Sequence, residues 1–229
     1  MSEPASPGDG AGERTGTYRL VVLASGNGSN LQAIIDTLHG RVAAPDGRRI
    51  EVVSVISDQT GARALERAEM AGIPTHAFDL RDAGSRDAQE AAILAAVRSL
   101  DPDLVVLAGY MRIIPSDFVQ AFPWRIINLH PALLPAFPGT TSIKDALEHG
   151  CKVTGVTVHF VDEGLDTGPI IAQQEVRIEE DDTVESLAAR IHEVEHRLLP
   201  QTICLLATGR VTPPLPGTRV VRVDFKQNG

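Results

Sequence analysis

Short apolar runs alternate along the chain with segments whose apolar residues recur at helical spacing. The runs at residues 18–24, 50–57 and 104–108 are rich in Val, Ile and Leu, and they predict buried strands. Strands that alternate with helices form βαβ units, in which right-handed crossovers join parallel strands. The pattern therefore predicts an α/β, Rossmann-like fold with a mostly parallel twisted sheet and helices on both faces. Helices are predicted at residues 31–38, 62–71, 86–100, 116–121, 142–148 and 183–206, and further strands at 75–78 and 125–129.

The last third of the chain has a different pattern. Residues 153–160 (VTGVTVHF) alternate as a strand, and a second strand is predicted at residues 170–176. Because the connection between them is short, the two strands are expected to pair in antiparallel orientation. We therefore predict an antiparallel C-terminal part of the sheet. Beyond the long helix, a proline-rich loop leads to a predicted edge strand at residues 219–225.

The N-terminal residues 1–17 contain Gly, Pro and Ser but no apolar run. This composition predicts a disordered tail and argues against a secretory signal peptide. The remaining residues, 18–229, have the length expected for a single domain with one buried core. The chain has no apolar run of about 18 residues, so we predict no transmembrane helix and no membrane partner.

The net charge and the cysteine content indicate which classes of molecule the chain binds and in which compartment it works. There are 30 acidic and 21 basic residues, which give a formal net charge of −9, whereas general nucleic-acid binders are usually basic. An anionic small molecule remains compatible, because a few arginines and a helix N-terminus can hold one. Cys151 and Cys204 lie far apart, which favours reduced thiols in the cytoplasm. We expect a cytoplasmic protein with small-molecule substrates and no nucleic-acid partner; a monomer and a homodimer both remain open.

A glycine-rich turn, Ser25-Gly-Asn-Gly-Ser-Asn30, connects the first predicted strand to the first helix. Its glycines let the backbone approach a ligand, and the helix that follows presents unpaired N–H groups. A phosphate-binding P-loop would need a lysine, and the dinucleotide fingerprint would need a glycine where Leu31 stands. The turn therefore suits a single phosphate group better than a pyrophosphate. An ordinary tight turn between strand and helix is the alternative.

The stretch from Arg125 to Gly139 carries the strongest candidates for chemistry. Asn128 and His130 lie where the predicted strand ends, and Pro131, Pro135 and Pro138 stiffen the loop that follows. Ligands of open α/β sheets bind outside the carboxyl ends of strands. An asparagine amide can stabilise an oxyanion, and an imidazole can move a proton at neutral pH. With no Ser or Cys nucleophile beside His130, direct attack of a substrate amine or water on an activated carbonyl is favoured.

The histidines outside this stretch suggest one alternative, a zinc site. The segment from His192 to His196 matches the H-E-x-x-H pattern of zinc hydrolases. A catalytic zinc site needs a third protein ligand, however, and the helix continues with Arg, Leu, Leu and Pro. We therefore predict no metal site. His159 precedes an acidic loop and is a candidate for a supporting role beside His130.

Four segments together resemble one family. They are VVLASGNGSNLQAII, VVLAGYMRIIP, INLHPALLPAFPG and GVTVHFVDEGLDTGPIIAQ. Over about residues 19–209 the chain resembles the glycinamide ribonucleotide transformylases (phosphoribosylglycinamide formyltransferases), a branch of the folate-dependent formyltransferases. The resemblance implies transfer of a formyl group from the co-substrate 10-formyltetrahydrofolate to the amine of 5-phosphoribosylglycinamide in purine biosynthesis, without a metal.

The resemblance also implies a role for individual residues. The catalytic residues would be Asn128 for the formyl oxygen, His130 for proton transfer, and Asp166 to order His130. The loop of residues 161–166 would wrap the pterin. The residues that would bind the ribonucleotide are Gly28, Ser29, Asn30 and Glu195, and those that would bind formyl-folate are Arg86, Met111, Arg112, Ile113, Ile114 and Asn128.

Three other functions compete with this interpretation. A formyltetrahydrofolate deformylase would use water as the acceptor, but such enzymes usually carry an N-terminal regulatory domain. A methionyl-tRNA formyltransferase would need a C-terminal RNA-binding domain and a basic face. A non-catalytic, phosphate-binding Rossmann-like protein would have no use for Asn128, His130 and Asp166. One departure from the family pattern is Thr141, where a histidine is common, and it puts a secondary substrate contact in doubt.

Overall fold

A mixed sheet forms the centre of the protein in the computed structural model, which describes residues 16–43 and 48–224. The sheet has eight strands, and helices separate most of them along the chain. The strands are β1 (Thr17–Leu23), β2 (Arg41–Ala43), β3 (Arg48–Ser57), β4 (Thr75–Ala77), β5 (Leu104–Leu107), β6 (Ile126–His130), β7 (Val153–Phe160) and β8 (Ile170–Arg177). The helices are α1 (Ser29–Thr37), α2 (Arg63–Met70), α3 (Leu80–Ala83), α4 (Arg86–Leu100), α5 (Ser116–Ala121), α6 (Ser142–Glu148) and α7 (Val184–Ala207).

The strand order is β2-β3-β1-β5-β6-β7-β8, with β4 paired to β3. Strand β1 pairs in parallel with β3 and β5, and β5 pairs in parallel with β6. Strand β7 is antiparallel to both β6 and β8. The prediction of a mostly parallel sheet with an antiparallel C-terminal part is confirmed. The chain moves outward from β1 to β3 and then returns to β5, so the carboxyl ends of β1 and β5 flank a crevice where ligands of open α/β sheets bind.

Alternating residues of the central strands bury their side chains on opposite faces of the sheet. In β1, Leu20 and Val22 pack into the core that contains residues of α1, α2 and α7. Val21 and Leu23 pack into a second core with residues of α4 and α5. All four side chains are fully buried. Helices therefore cover both faces, as the alternation of apolar runs and helical patterns predicts.

The strand predicted at residues 219–225 is shorter than expected and does not lie at an edge of the main sheet. In the described part of this segment, Arg222–Val223 forms a strand, β10, which pairs with Val211–Thr212, β9, in a separate two-stranded sheet. The segment before β10 contains Pro213, Pro214 and Pro216, which have no backbone N–H. It therefore cannot form the regular hydrogen bonds of a further strand of the main sheet. Residues 225–229 lie outside the described part of the chain.

Other differences lie at short elements and at the ends. Strand β2 and helix α3 are too short to give a periodic signal, and the sequence did not predict them. The predicted tail falls mainly on residues 1–15, which lie outside the described part, and Thr17 already pairs with Arg49 in the sheet. Within the described ranges, no helix is long and apolar enough to cross a bilayer.

Candidate active site

The carboxyl ends of β5 and β6 open into a cavity of about 480 Å³, which we call the catalytic cavity. Asn128, His130, His159 and Asp166 line one side of it, and residues 110–114 line the other. A volume of this size is typical of sites for small molecules. The structure thus brings together the three predicted catalytic residues and five of the six predicted folate-binding residues, with Asn128 in both sets.

Strand β6 presents Asn128 and His130 on the same face because they are two residues apart. The strand extends one residue further than predicted, and His130 pairs with Thr157 of β7. The loop after it contains a cis peptide bond between Leu134 and Pro135 and turns back towards the strand. At the end of this turn, the carbonyl of Phe137 lies 2.8 Å from His130 Nε2. A carbonyl only accepts, so the hydrogen of this bond is on Nε2.

The other ring nitrogen of His130 faces Asp166. His130 Nδ1 lies 3.4 Å from Asp166 Oδ2, and the His130 side chain is only 4% exposed. The same carboxylate oxygen accepts a hydrogen bond of 2.8 Å from the backbone N–H of Gly139. Asp166 itself has a left-handed backbone, with φ of 52°, a conformation that is uncommon outside glycine but is tolerated by aspartate. Both nitrogens of His130 therefore point at oxygen acceptors, an arrangement suited to a ring that gains and loses a proton.

Asn128 connects Asp166 to a second histidine. Its amide Nδ2 lies 3.2 Å from Asp166 Oδ1 and 3.2 Å from His159 Nε2. The two amide hydrogens therefore point at protein acceptors, and both contacts are long for hydrogen bonds. An oxyanion in the cavity would have to take one of these two donors from its protein acceptor.

His159 is a fourth member of this cluster. Its Nδ1 donates to the carbonyl of Phe160 at 2.8 Å, which leaves Nε2 as an acceptor for Asn128. Burial, the largest cause, lowers the pKa of His159 below its ordinary value, so the ring is held neutral. The sequence pointed to a supporting role for His159. Its contact with Asn128 depends on the antiparallel register in which these two residues pair directly.

The loop that carries Asp166 returns to the sheet at Gly168. A Cβ atom at this position would lie 1.6 Å from the carbonyl oxygen of Phe160, the same oxygen that accepts from His159. Glycine is therefore required for the loop to pass close enough to hold Asp166 against His130. Apart from the glycine itself, nothing in the sequence indicates this close approach.

The glycine-rich turn borders a second cavity of about 380 Å³, the loop cavity. Residues 26–30 line it, together with Ala108, Gly109, Met111 and His192. Gly28 adopts φ of 76° at the start of α1, where no side chain caps the helix. A Cβ atom on Gly28 would lie 2.7 Å from Ala64 Cα, so the turn packs directly on α2. The N–H groups of the first turn of α1 are the donors that suit a phosphate.

Arg67 of α2 holds this turn in place, and the sequence analysis missed it. Its Nε donates to the carbonyl of Asn27 at 2.8 Å, and an Nη donates to the Asn27 side chain at 3.0 Å. The other Nη lies 3.1 Å from the Gln32 side-chain oxygen. A guanidinium supplies several donors in a fixed plane, so Arg67 fixes the turn and α1 together. An arginine on an amphipathic helix gives no sequence signal for this role.

Glu195 is buried behind the loop cavity rather than exposed in it. Its carboxylate accepts from Asn30 Nδ2 at 2.9 Å and contacts His192 Nδ1 at 2.9 Å. The hydrogen bond with Glu195 raises the pKa of His192. His192, which the sequence analysis did not select as a ligand residue, lines the cavity instead. No group of three metal-ligating side chains occurs in the described parts of the chain.

Arg86 lies outside the catalytic cavity. It lines a third cavity of about 990 Å³, the arginine cavity, together with Arg63, Arg112, Asp58 and Glu90. Arg112 forms an ion pair with Glu90 at 3.0 Å, and its side chain is largely buried. The arginine cavity shares Met111, Arg112 and Ile113 with the catalytic cavity, so one ligand can extend from one to the other.

Thr141 is exposed and takes no part in the three cavities. Its hydroxyl donates to Asp145 at 2.8 Å at the start of α6. The neighbouring Thr140 lines the catalytic cavity instead. The position at which the sequence departs from the family pattern therefore contributes to the helix start in this structure.

Comparison with known proteins agrees with this geometry. The family model described as formyl transferase matches residues 18–203. The chain is 50% identical over 194 residues to phosphoribosylglycinamide formyltransferase of Mycobacterium tuberculosis. This alignment covers 85% of this chain and 87% of that protein. It is 43% identical over 185 residues to the enzyme of the same name from Bacillus subtilis, and this alignment covers 81% of this chain and 92% of that protein.

Solved structures agree as well. The crystal structure of glycinamide ribonucleotide transformylase 1 from Symbiobacterium toebii superimposes with a TM-score of 0.81 at 46% identity, covering 90% of this chain and 94% of that one. Sequence and fold thus agree over nearly all of the described residues. The chain belongs to the formyl transferase family.

Proposed function

We propose that the protein transfers a formyl group from 10-formyltetrahydrofolate to the amine of 5-phosphoribosylglycinamide. The observation that carries the proposal is the cluster of His130, Asn128 and Asp166 in a cavity next to a turn built for one phosphate. The names of the relatives, which describe this activity, support it. The reaction belongs to purine biosynthesis.

The bond changes follow from the two substrates. The amine nitrogen of the glycinamide attacks the formyl carbon, and the carbonyl electrons move to the formyl oxygen. The tetrahedral intermediate then expels N10 of the folate, which breaks the C–N10 bond. The attacking amine loses one proton and N10 gains one, so a single group that relays a proton balances the reaction. We assign this relay to His130, because its imidazole lines the cavity and its Nδ1 lies beside Asp166.

Asn128 and Asp166 assist at the formyl oxygen and at the imidazole. We assign to Asn128 the donation of an amide hydrogen to the developing oxyanion, with loss of its 3.2 Å contact to Asp166. Asp166 keeps its hydrogen bond from Gly139 and stabilises the protonated form of His130. Because the carboxylate is mostly buried, its attraction for the imidazolium is little screened by water.

The remaining assignments concern binding. The phosphate of the ribonucleotide is assigned to the N–H groups of Gly28, Ser29 and Asn30. Glu195 contributes by orienting Asn30 and His192. Formyl-folate is assigned to the catalytic and arginine cavities, with its pterin against residues 111–114 and 161–166 and its acidic end towards Arg86. The substrates are small molecules, and we place the enzyme in the cytoplasm.

One assay separates this function from its rivals. Formyl-folate is supplied with and without the ribonucleotide, and release of tetrahydrofolate is followed. Transfer predicts release only when the ribonucleotide is present. Release with water alone would support a deformylase, and absence of any release would support a non-catalytic phosphate-binding protein. Loss of activity on adding a chelator would contradict the assignment of a metal-free reaction.

A further inference from the structure

Asp58 is a buried carboxylate that the proposed reaction does not use. It follows β3 at the carboxyl edge of the sheet and is 3% exposed. Its Oδ1 accepts a hydrogen bond of 2.6 Å from the Ser25 hydroxyl, and its Oδ2 lies 3.3 Å from the Gln59 amide. Burying a carboxylate is unfavourable unless strong hydrogen bonds compensate. The short contact with Ser25 is the stronger of these two.

The contact with Asp58 decides what Ser25 can do. A serine hydroxyl has one hydrogen, and Asp58 accepts it. The lone pairs of Ser25 Oγ are then free to accept, and the backbone N–H of Met111 donates to this oxygen at 3.0 Å. Because the Asp58 carboxylate can only accept, it takes the hydroxyl hydrogen of Ser25. Ser25 Oγ is thereby fixed as the acceptor for the backbone N–H of Met111. The three residues follow three different strands, β3, β1 and β5.

Met111 stands where the three cavities meet. It lines the catalytic cavity, the loop cavity and the arginine cavity. Its side chain is 68% exposed, although most large apolar side chains of this protein are buried. The backbone that Ser25 holds is thus part of the wall between the assigned positions of the two substrates.

We propose that Asp58, acting through Ser25, is a positioning residue for formyl-folate. It fixes the backbone of Met111 and thereby the shared wall of the three cavities. Without Asp58, the Ser25 hydroxyl is free to donate in other directions, and Met111 loses a fixed acceptor. This inference rests on the proposed function, in which residues 111–114 bind formyl-folate.

Steady-state kinetics of five variants test the proposal. Asp58→Ala, Ser25→Ala and the double variant should each raise the KM for formyl-folate about three- to tenfold, the effect of one lost hydrogen bond. The double variant should be no worse than Ser25→Ala, because both changes remove the same contact. Asp58→Asn keeps an acceptor oxygen and should stay within about twofold of the wild type. Ser99→Ala is the matched control, since Ser99 is an exposed serine on α4 that lines none of the three cavities.

The KM for the ribonucleotide separates positioning from general damage. It should rise less than the KM for formyl-folate in the variants of Asp58 and Ser25, because the phosphate is assigned to the N–H groups of residues 28–30 and the backbone N–H of Ser25 keeps its hydrogen bond to Gly109. A wild-type KM for formyl-folate in Ser25→Ala would overturn the proposal. Additive effects in the double variant, or an equal rise of both KM values, would overturn it as well. If Asp58→Ala does not fold, Ser25→Ala and Asp58→Asn carry the test.

A spectroscopic readout does not depend on turnover. The chain has three methionines, so methyl-labelled methionine gives few NMR signals. The methyl signal of Met111 should shift or broaden in Asp58→Ala and Ser25→Ala, whereas that of Met70, 80% exposed on α2, should not. An unchanged Met111 signal would contradict the link from Asp58. If the wild type fails to transfer formyl groups, the proposed function is wrong, but this signal still decides whether Asp58 positions Met111.

Discussion

The catalytic cavity and the loop cavity are neighbours, but different kinds of contact hold them. In the catalytic cavity, side chains from β6, β7 and the loop after β7 meet through the pairing of two antiparallel strands. In the loop cavity, the backbone of the glycine-rich turn forms much of the lining, and the side chains of Arg67 and Glu195 support this turn through hydrogen bonds to Asn27 and Asn30. The proposed chemistry thus depends on the register between two strands, whereas the proposed phosphate site depends on a local turn. Substitutions in the two cavities should separate turnover from binding.

The largest effect should come from His130→Ala. Removal of the proton relay should lower kcat by about 10²–10⁴, the usual contribution of general acid–base catalysis. Binding of the ribonucleotide, measured by calorimetry, should change little because the loop cavity is intact. His76→Ala, an exposed histidine on β4, is the control and should leave kcat unchanged. Full activity in His130→Ala would contradict its assigned role.

Gly28→Ala should act on binding instead. The Cβ atom of an alanine at this position would overlap Ala64, and the alanine would have to adopt a left-handed backbone conformation. Together these two effects should lower the free energy of unfolding by about 1–3 kcal/mol. The affinity for the ribonucleotide should fall about tenfold or more as the turn shifts. Gly40→Ala is a matched control, because Gly40 has nearly the same φ but open space around its Cβ position. Equal affinities of the two variants would contradict the close approach.

Arg67→Gln should have a smaller effect on the same site. Loss of the hydrogen bonds to Asn27 should raise the KM for the ribonucleotide up to about tenfold. The KM for formyl-folate should rise less, since only Ser25, Gly26 and Asn27 of the turn line the arginine cavity and no residue of the turn lines the catalytic cavity. Arg98→Gln, an exposed arginine near the end of α4, is the control. An equal rise in both KM values would mean that the turn supports both cavities.

The smallest effect concerns His192 and pH. The hydrogen bond with Glu195 raises the pKa of His192 in the folded state above the value of 6.5 expected in the unfolded chain. The resulting stabilisation is fully present below that unfolded value and is lost as the pH rises through the folded pKa. The free energy of unfolding of His192→Gln should therefore differ from that of the wild type more at pH 6, below the unfolded pKa of 6.5, than at pH 9. Because the side chain is half exposed, the difference should be small.

The sequence predicted the parts of the site that depend on local pattern. Apolar runs ending in Gly-rich or Pro-rich turns located the turn before α1 and the pair Asn128 and His130, and the resemblance to a family added Asp166. The sequence could not predict the contacts of His159, because these contacts depend on the register between β6 and β7. Nor could it predict that Glu195 is buried against Asn30 or that Arg67 binds Asn27. These contacts join residues far apart in sequence, and the periodicity of one helix carries no information about its partner.

The hydrogen bond between Asn30 and Glu195 has a consequence for the order in which the protein forms during synthesis. The two residues are 165 positions apart, so Glu195 leaves the ribosome long after α1 has been made. Until α7 is present, Asn30 lacks this partner and the core beneath α1 is open. A nascent chain that ends before α7 already contains the residues of the catalytic cavity but cannot complete the phosphate site. Capacity to bind the ribonucleotide should therefore be acquired last, when α7 docks.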